Sequence, residues 1–282
     1  MSILIADSGA SKTQWALCGE EEKPLSFTTI GFNPNAVSLA LIRHALEELA
    51  SAIGDVSRIT DVFFYGSGVV DEKGRSTLRK VFAPVFSSAK IYLDSDLVAA
   101  MRSTGRQMGI VGILGTGSNA CYFREGQIQE KRGGHGYLVG DEGSGQDLGK
   151  ALLKGLLYET LPDHLLSYVL KKEQQSLHEL KMGVYTSSRP SAYLASLARH
   201  LLPFQQEEPV RLLIRSCFET FLQTTILHMP FSSELPIDTI GSIGYYFQEI
   251  WRESCQGFDL NMGKILQNPM QGLIAFHTRS GN

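Results

Sequence analysis

The sequence predicts an α/β protein of two similar half-domains, each built on a mixed β-sheet, with a cleft between them. Three observations carry this expectation. Short apolar runs of strand length alternate with stretches whose apolar residues recur at helical spacing. An opening of three closely spaced strands followed by helices occurs twice, once from residue 2 and again from residue 109. Glycine is in surplus, 28 of 282 residues, or about 10% against a usual ~7%, and it gathers in short loops that follow strand-like runs.

Residues 2–6, 14–18 and 25–30 read as strands, with the polar turn 19–24 before the third, and their spacing predicts an antiparallel meander. Residues 36–53 then place Leu39, Ile42, Leu46, Leu49 and Ile53 at helical spacing. A buried-type strand at 61–65, an amphipathic helix at 72–86, a strand at 90–93 and a short helix at 95–102 follow, an order that needs helical crossovers within the sheet. The second series starts with strands at 109–114, 119–124 and 127–131, with Gly126 in the last turn. Beyond the glycine-rich stretch 133–145 the chain reads as helical almost to residue 230, with helices at 144–158, 163–170, 191–202 and 210–228. A strand at 237–240 and helices at 243–255 and 269–277 close the sequence. The first half-domain is expected over 1–106, with the last segment, 269–282, packing back on it. The second is expected over 107–268, with a helical insertion.

Composition removes several function classes. Lys and Arg number 26 against 29 Asp and Glu, a net charge of −3, which is not the concentrated basic surface of a nucleic-acid-binding protein. No run approaches the ~18 apolar residues of a membrane span, and the opening residues lack the basic start of a signal peptide. Cys18, Cys121, Cys217 and Cys255 are scattered, with no C-x-x-C pair, so neither a zinc cluster nor a disulfide framework is expected. A reduced, cytoplasmic protein is the expectation.

The loops carry the chemistry. Residues 7–13 form a hairpin with Asp7 at its base and Gly9, Ser11, Lys12 and Thr13 about its tip. It lies between two strands, so it is no Walker loop. It can still cradle phosphate, with backbone N–H and hydroxyl groups on the oxygens, Lys12 adding charge and Asp7 placed for hydrated Mg²⁺. Taken alone it also reads as an ordinary polar hairpin. Gly115-Thr116-Gly117-Ser118 repeats the design about 100 residues later, again within a three-strand unit. Further glycine loops stand at 66–68, 133–136, 140–145 and 241–244.

Together these stretches resemble the actin/hexokinase/Hsp70 superfamily, and within it the eukaryotic-type N-acetylglucosamine kinases and the related BadF/BadG/BcrA/BcrD-type ATPases. Residues 7–13, 95–100, 115–119, 133–145, 241–247 and 269–277 match in order, and residues 133–145 are the most family-specific stretch. The resemblance implies two ribonuclease-H-like, actin-like ATPase half-domains and ATP-dependent phosphorylation of an amino sugar. N-acetylglucosamine, giving its 6-phosphate, is the first candidate; glucosamine and N-acetylmuramic acid are the rivals. It implies ATP and Mg²⁺ as cofactors and a homodimer.

Residue by residue, Asp7 matches the Asp that positions Mg²⁺, and Gly9, Ser11, Lys12 and Thr13 match the β/γ-phosphate loop. Ser8, Ala10 and Ser11 depart from its usual Gly, Gly and Thr. Gly115, Thr116 and Gly117 match the second phosphate loop, and Gly241, Ser242 and Gly244 the adenosine motif. Asp96 matches the general base, with Ser95 in place of the usual Asn. Asn33 matches a sugar-binding Asn, with Asn35 as the alternative. Ser118 and Asn119 are implied at the sugar or its acyl group, and Gly134 and Asp141 along the hexose, while Glu142 reads as a loop support. His135 stands where the family often has Trp, and reads either as an exposed loop residue or as a polar pocket wall. Two other readings remain open. An ATPase activating a radical dehydratase would need thiolates for an iron–sulfur cluster, and no cysteine falls in 133–145. A non-catalytic sugar sensor would be expected to carry a DNA-binding helix-turn-helix, for which the sequence leaves no room.

Overall fold

The structure, a computed structural model, describes residues 2–279 apart from 11, 20–22, 35, 36 and 70. The chain divides into two compact units, one reaching to Arg106 and including the segment from Pro269, the other spanning Gln107–Asn268.

The first unit runs β1 (Ser2–Ser8), β2 (Lys12–Cys18), β3 (Leu25–Ile30), α1 (Leu39–Ile53), β4 (Ile59–Gly66), α2 (Glu72–Val85), β5 (Lys90–Ser95) and α3 (Asp96–Thr104). Its sheet has the order β3-β2-β1-β4-β5. The meander pairs are antiparallel, whereas β1–β4 and β4–β5 are parallel. Strand alternation decides what covers each face. Leu4 and Ala6 point into a core with Trp15, Ile42, Leu46 and Phe82, under α1 and α2. Ile5 points the other way, to Tyr65, Ala99 of α3 and Leu273 near the C terminus. Helix α1 begins at Leu39 because Ser38 caps it, accepting from the Leu41 N–H at 3.3 Å. Asp71 caps α2 in the same way through the Gly74 N–H, at 2.8 Å.

The second unit runs β6 (Met108–Leu114), β7 (Ser118–Arg124), β8 (Gln127–Gly133), α4 (Gly145–Leu157), α5 (Asp163–Glu173), α6 (Leu177–Thr186), α7 (Pro190–Leu197) and α8 (Glu208–Phe221). It continues with β9 (Ile237–Ile240), α9 (Ser242–Tyr246), α10 (Gln248–Gln256) and β10 (Met262–Leu266). Its sheet order, β10-β9-β6-β7-β8, repeats that of the first unit strand for strand, with the same parallel and antiparallel pairs. This is the α/β architecture of two mixed sheets that the sequence predicts. The last helix, α11 (Met270–Arg279), packs on α3, β1 and β2 of the first unit.

The structure corrects the element list at five places, one of them the helix expected at 191–202, which tightens to a 3-10 helix after Leu197. Strand β10 is additional. Helix α6 is additional too, although its capping box, Ser176 with Glu179, is a sequence signal. The helix expected at 210–228 gives way after Phe221 to a π turn, Leu222–Ile226, closed by Leu227 N–H on the Leu222 carbonyl at 2.9 Å. The helix expected at 243–255 breaks at Phe247, whose φ and ψ are −103° and 27°. Among the described residues no helix is long and apolar enough to cross a membrane.

Candidate active site

Each sheet gathers its chemistry-bearing loops at the carboxyl ends of its parallel strands, where open α/β sheets place their ligands. In the first unit Ser8 of β1 pairs with Gly66 of β4, and Gly66 with Ser95 of β5. The hairpin after β1, the turn after β4 and the start of α3 therefore stand side by side.

The hairpin is closed by Gly9 N–H on the Lys12 carbonyl at 3.0 Å. A Cβ at Gly31 would lie 2.4 Å from the Gly9 carbonyl oxygen, so only glycine lets the loop before Asn33 pass beneath. The Thr13 hydroxyl is buried, 2.8 Å from both the Ile30 carbonyl and Ser8 Oγ. With one proton to give, Thr13 donates to the carbonyl, so Ser8 donates to Thr13 and accepts from the Phe32 N–H at 2.8 Å. The Thr13 side chain, expected at the phosphates, is thus a clasp inside the hairpin. Lys12 is exposed at the tip. Ser11 and Asn35 lie outside the described residues.

Asp7 points to the face that Ile5 also serves, the face covered by α3, and Asp96 is the first residue of that helix. Burial, and then the neighbouring Asp96 charge, push the Asp7 carboxyl up to about 7, against the opposing pull of Lys12. Two carboxylates that repel each other at a strand end suit a cation. Mg²⁺ held through one or two carboxylates plus substrate phosphates fits this donor set, whereas no cluster of three or more metal-ligating side chains occurs among the described residues. Asp94, two residues before Asp96, is occupied elsewhere, 3.3 Å from Arg102 Nη1. Arg102 also donates to the Tyr65 hydroxyl at 2.6 Å, and that hydroxyl lies 2.7 Å from His277 Nε2. Asn33 lies over Gly68, where a Cβ would meet its Oδ1 at 2.5 Å.

In the second unit the hairpin 115–117 is closed by Gly115 N–H on the Gly117 carbonyl at 3.0 Å. Helix α4 latches onto it, with Gly145 N–H on the Gly115 carbonyl at 2.8 Å and Gln146 N–H on the Thr116 carbonyl at 3.2 Å. Gly241 follows β9 at φ +128°, and a Cβ there would lie 2.3 Å from the Leu114 carbonyl oxygen. This backbone approach sets the Gly241, Ser242 and Gly244 turn beside the hairpin, and a Cβ at Gly244 would meet Thr239 at 2.6 Å.

The residues implied at the sugar divide by what already holds them. Ser118 Oγ donates to the Glu142 carbonyl at 2.7 Å, so its hydroxyl fastens the loop. Asp141 is buried in a left-handed conformation, φ +61°. Burial raises its carboxyl, while Gly136 N–H, Ser118 N–H and the Gln146 amide donate to it and pull the other way. Three of the roughly four lone-pair positions of a carboxylate are then taken. Gln146 in turn accepts from Ser191 Oγ of α7. Asn119 Oδ1 is buried and has no hydrogen-bond partner. Gly134, at φ +74°, lies against Asn119, and His135 is exposed, with its Cβ where a Cβ on Gly140 would sit 2.7 Å away. Sequence reasoning did not single out Gln146, whose amide holds Asp141. The cysteines are buried and form no disulfide; burial pushes Cys18 and Cys217 up, and Cys255 up to about 12.

No protein-family model matches the chain. The solved "Putative N-acetylglucosamine Kinase" of Porphyromonas gingivalis is 32% identical, with a TM-score of 0.93 over 99% of this chain and 100% of its own. The N-acetylmuramic acid/N-acetylglucosamine kinase of Clostridium acetobutylicum is 26% identical over 70% of this chain and 68% of that protein. A ROK family glucokinase of Streptomyces griseus, solved with glucose and AMPPNP, is 13% identical and shares the fold, with a TM-score of 0.63 over all of both chains.

Proposed function

The chain belongs to the N-acetylglucosamine kinase family of the actin-like ATPases, and on that premise we propose that it transfers the γ-phosphoryl group of ATP to the 6-hydroxyl of an amino sugar, N-acetylglucosamine first among the candidates. The observation that carries this reading is the placing of Asp7, on the central strand β1, near Asp96, which follows β5, at the carboxyl-terminal end of the first sheet, beside a glycine hairpin that carries Lys12.

Asp96 is the general base. It accepts the proton of the 6-hydroxyl as that oxygen bonds to the γ-phosphorus. The bond from that phosphorus to the oxygen bridging it to ADP breaks, and ADP departs with the electron pair. Bound Mg²⁺ would neutralise charge on the phosphoryl oxygens, and Asp7 is the residue to hold it. Backbone N–H groups about Gly9 and Lys12 and about Thr116 and Gly117, with the Lys12 ammonium, are assigned to the phosphates. The glycine turn at Gly241, Ser242 and Gly244 is assigned to the adenosine. Asn33, Asn119, Gly134 and the remaining acceptor position of Asp141 are assigned to the sugar, with Ser118 holding their loop. The unpaired Asn119 Oδ1 supports this, because a buried carbonyl without a donor suits a ligand N–H or O–H.

N-acetylmuramic acid is the main rival substrate, since one relative is named for both sugars. Burial disfavours the thiolate at Cys18, Cys217 and Cys255, which argues against an iron–sulfur activator, since that needs thiolates. The family membership also supports a cytoplasmic homodimer, which light scattering on the purified protein tests. The decisive assay is ADP release from ATP across N-acetylglucosamine, glucosamine and N-acetylmuramic acid. Asp96→Asn is expected to cut the sugar-dependent rate by about 10²–10⁴-fold with little change in sugar affinity. Near-native turnover by that variant would remove Asp96 as the base, and sugar binding without ADP release would make the protein a sensor.

A further inference from the structure

Among the described residues two buried side-chain polar atoms lack any hydrogen-bond partner, Asn119 Oδ1 and Ser67 Oγ. Buried hydroxyls are nearly always paired, so an orphan calls for a physical reason. Ser67 has one in its position. It follows β4, the strand between β1 and β5, and Gly66 is in register with both Ser8 and Ser95. Ser67 therefore emerges between the phosphate-type hairpin after β1 and Asp96 after β5.

Its backbone is fixed on both sides. Ser67 N–H donates to the Ser8 carbonyl at 3.2 Å, and Val69 N–H closes the turn on the Gly66 carbonyl, also at 3.2 Å. Gly68 takes φ +87°, and the first turn of α2 backs it so closely that a Cβ at Gly74 would lie 2.6 Å from the Gly68 carbonyl oxygen. The same turn forms the floor under the Asn33 amide.

The surroundings select the ligand. Ser67 is neutral, offering one donor and two acceptor positions. Carboxylates stand on the neighbouring strand end and helix start, Asp7 and Asp96, and the Asn33 amide is the neighbour across Gly68. The Asp96 carboxylate and the Asn33 amide offer hydrogen-bonding groups that suit an uncharged, polyhydroxylated molecule. We propose that Ser67 is a sugar-binding residue whose hydroxyl pairs with a hydroxyl of the amino sugar beside Asp96. This rests on the sugar-kinase reading above and adds a contact that the sequence motifs do not assign.

The test is titration calorimetry with N-acetylglucosamine and, separately, with AMPPNP, on the wild type, Ser67→Ala and the near-isosteric Ser67→Cys. Both variants are expected to weaken sugar binding about tenfold and raise the sugar KM in proportion, with AMPPNP affinity unchanged. Ser67→Ala also removes an unpaired buried hydroxyl, so its unliganded melting midpoint is expected to rise by about 2–4 °C. A hydroxyl serving the fold would move the midpoint the other way and leave sugar affinity alone. Equal sugar affinity in wild type and Ser67→Ala, or a loss confined to AMPPNP, overturns this inference alone. A wild type that binds no amino sugar overturns the sugar-kinase reading and this inference with it.

Discussion

The two units share one sheet topology and put opposite electrostatics at its ends. In the first, Asp7 is half-buried near a second carboxylate, and Lys12 opposes their repulsion only in part. In the second, Asp141 is buried, but two backbone N–H groups and the Gln146 amide converge on it. Burial raises both carboxyls, and what differs is the supply of donors. The carboxylate on the first unit's central strand is left short of donors and suits a cation, whereas the one in the loop between β8 and α4 of the second unit is already held by donors.

The contrast is sharpest in a pair of variants. Asp7→Asn removes the carboxylate that would hold Mg²⁺, and kcat is expected to fall about 10³-fold. The same change relieves the like-charge pair, because a carboxyl raised to about 7 disfavours its ionised form in the fold. At pH 8 the unliganded protein should therefore gain on the order of 1–3 kcal/mol. Asp141→Ala should do the reverse to stability, losing about 2 kcal/mol as Gly136 N–H, Ser118 N–H and the Gln146 amide lose their acceptor. Urea melts of both variants read the two signs, and the comparison breaks if both move the same way.

The glycines at the end of the fourth strand of each sheet are a second pair. At Gly241 an added Cβ meets the Leu114 carbonyl, a backbone atom at 2.3 Å, and φ is +128°. At Gly66 it meets the edge of the Phe64 ring at 2.8 Å. A backbone cannot give way as a ring can, so Gly241→Ala is expected to cost about 3 kcal/mol and Gly66→Ala about 1 kcal/mol. Equal losses in thermal melts would show that both turns yield alike.

The meanders were legible because period-two apolar runs and glycine turns are local signals, whereas Asp96 stood out only through the family resemblance, since alone it reads as an ordinary helix-start carboxylate. Strand β10 was not legible. It is a half-buried edge strand of five residues, fastened by Lys264 N–H on the buried Asp238 carboxylate at 2.6 Å, a partner 26 positions away. The direction of a side chain was equally hidden. Thr13 and Ser118 carry the residue types that loops use on ligands, yet their hydroxyls close on the Ile30 and Glu142 carbonyls. Ser67 is the converse, since the absence of a partner exists only in three dimensions.

Acid should separate the units. In the first, His277 of α11 stacks on Phe63 with centroids 3.8 Å apart and faces the Tyr65 hydroxyl. Burial, then the Arg102 charge, hold its imidazole down to about 4, against a smaller opposing pull from Asp61. The folded state keeps it neutral while the unfolded chain takes up a proton below about 6.5. Stability is therefore lost as pH falls from about 6.5 to about 4, by on the order of 1–2 kcal/mol after solvent screening. In the second unit, burial acts to raise the Glu173 carboxyl, but hydrogen bonds from His200 and Arg199 outweigh it and hold it below its usual range. Its contribution is full above about 4.5 and is lost only below that. Each unit carries one of the chain's 2 tryptophans, Trp15 and Trp251, both buried and each donating its indole N–H to a threonine on a strand, at 2.9 Å. Single-tryptophan variants, Trp251→Phe and Trp15→Phe, thus report the units separately. Asp7, raised to about 7, regains stability over the same range as it protonates, so the comparison is made in the Asp7→Asn background, where the Trp15 signal is expected to weaken against urea already between pH 6.5 and 4.5, while the Trp251 signal holds. His277→Phe, which keeps the ring stack and removes the titration, should bring the two acid profiles together. Coincident profiles in the parent pair would show that His277 does not set the acid limit of its unit.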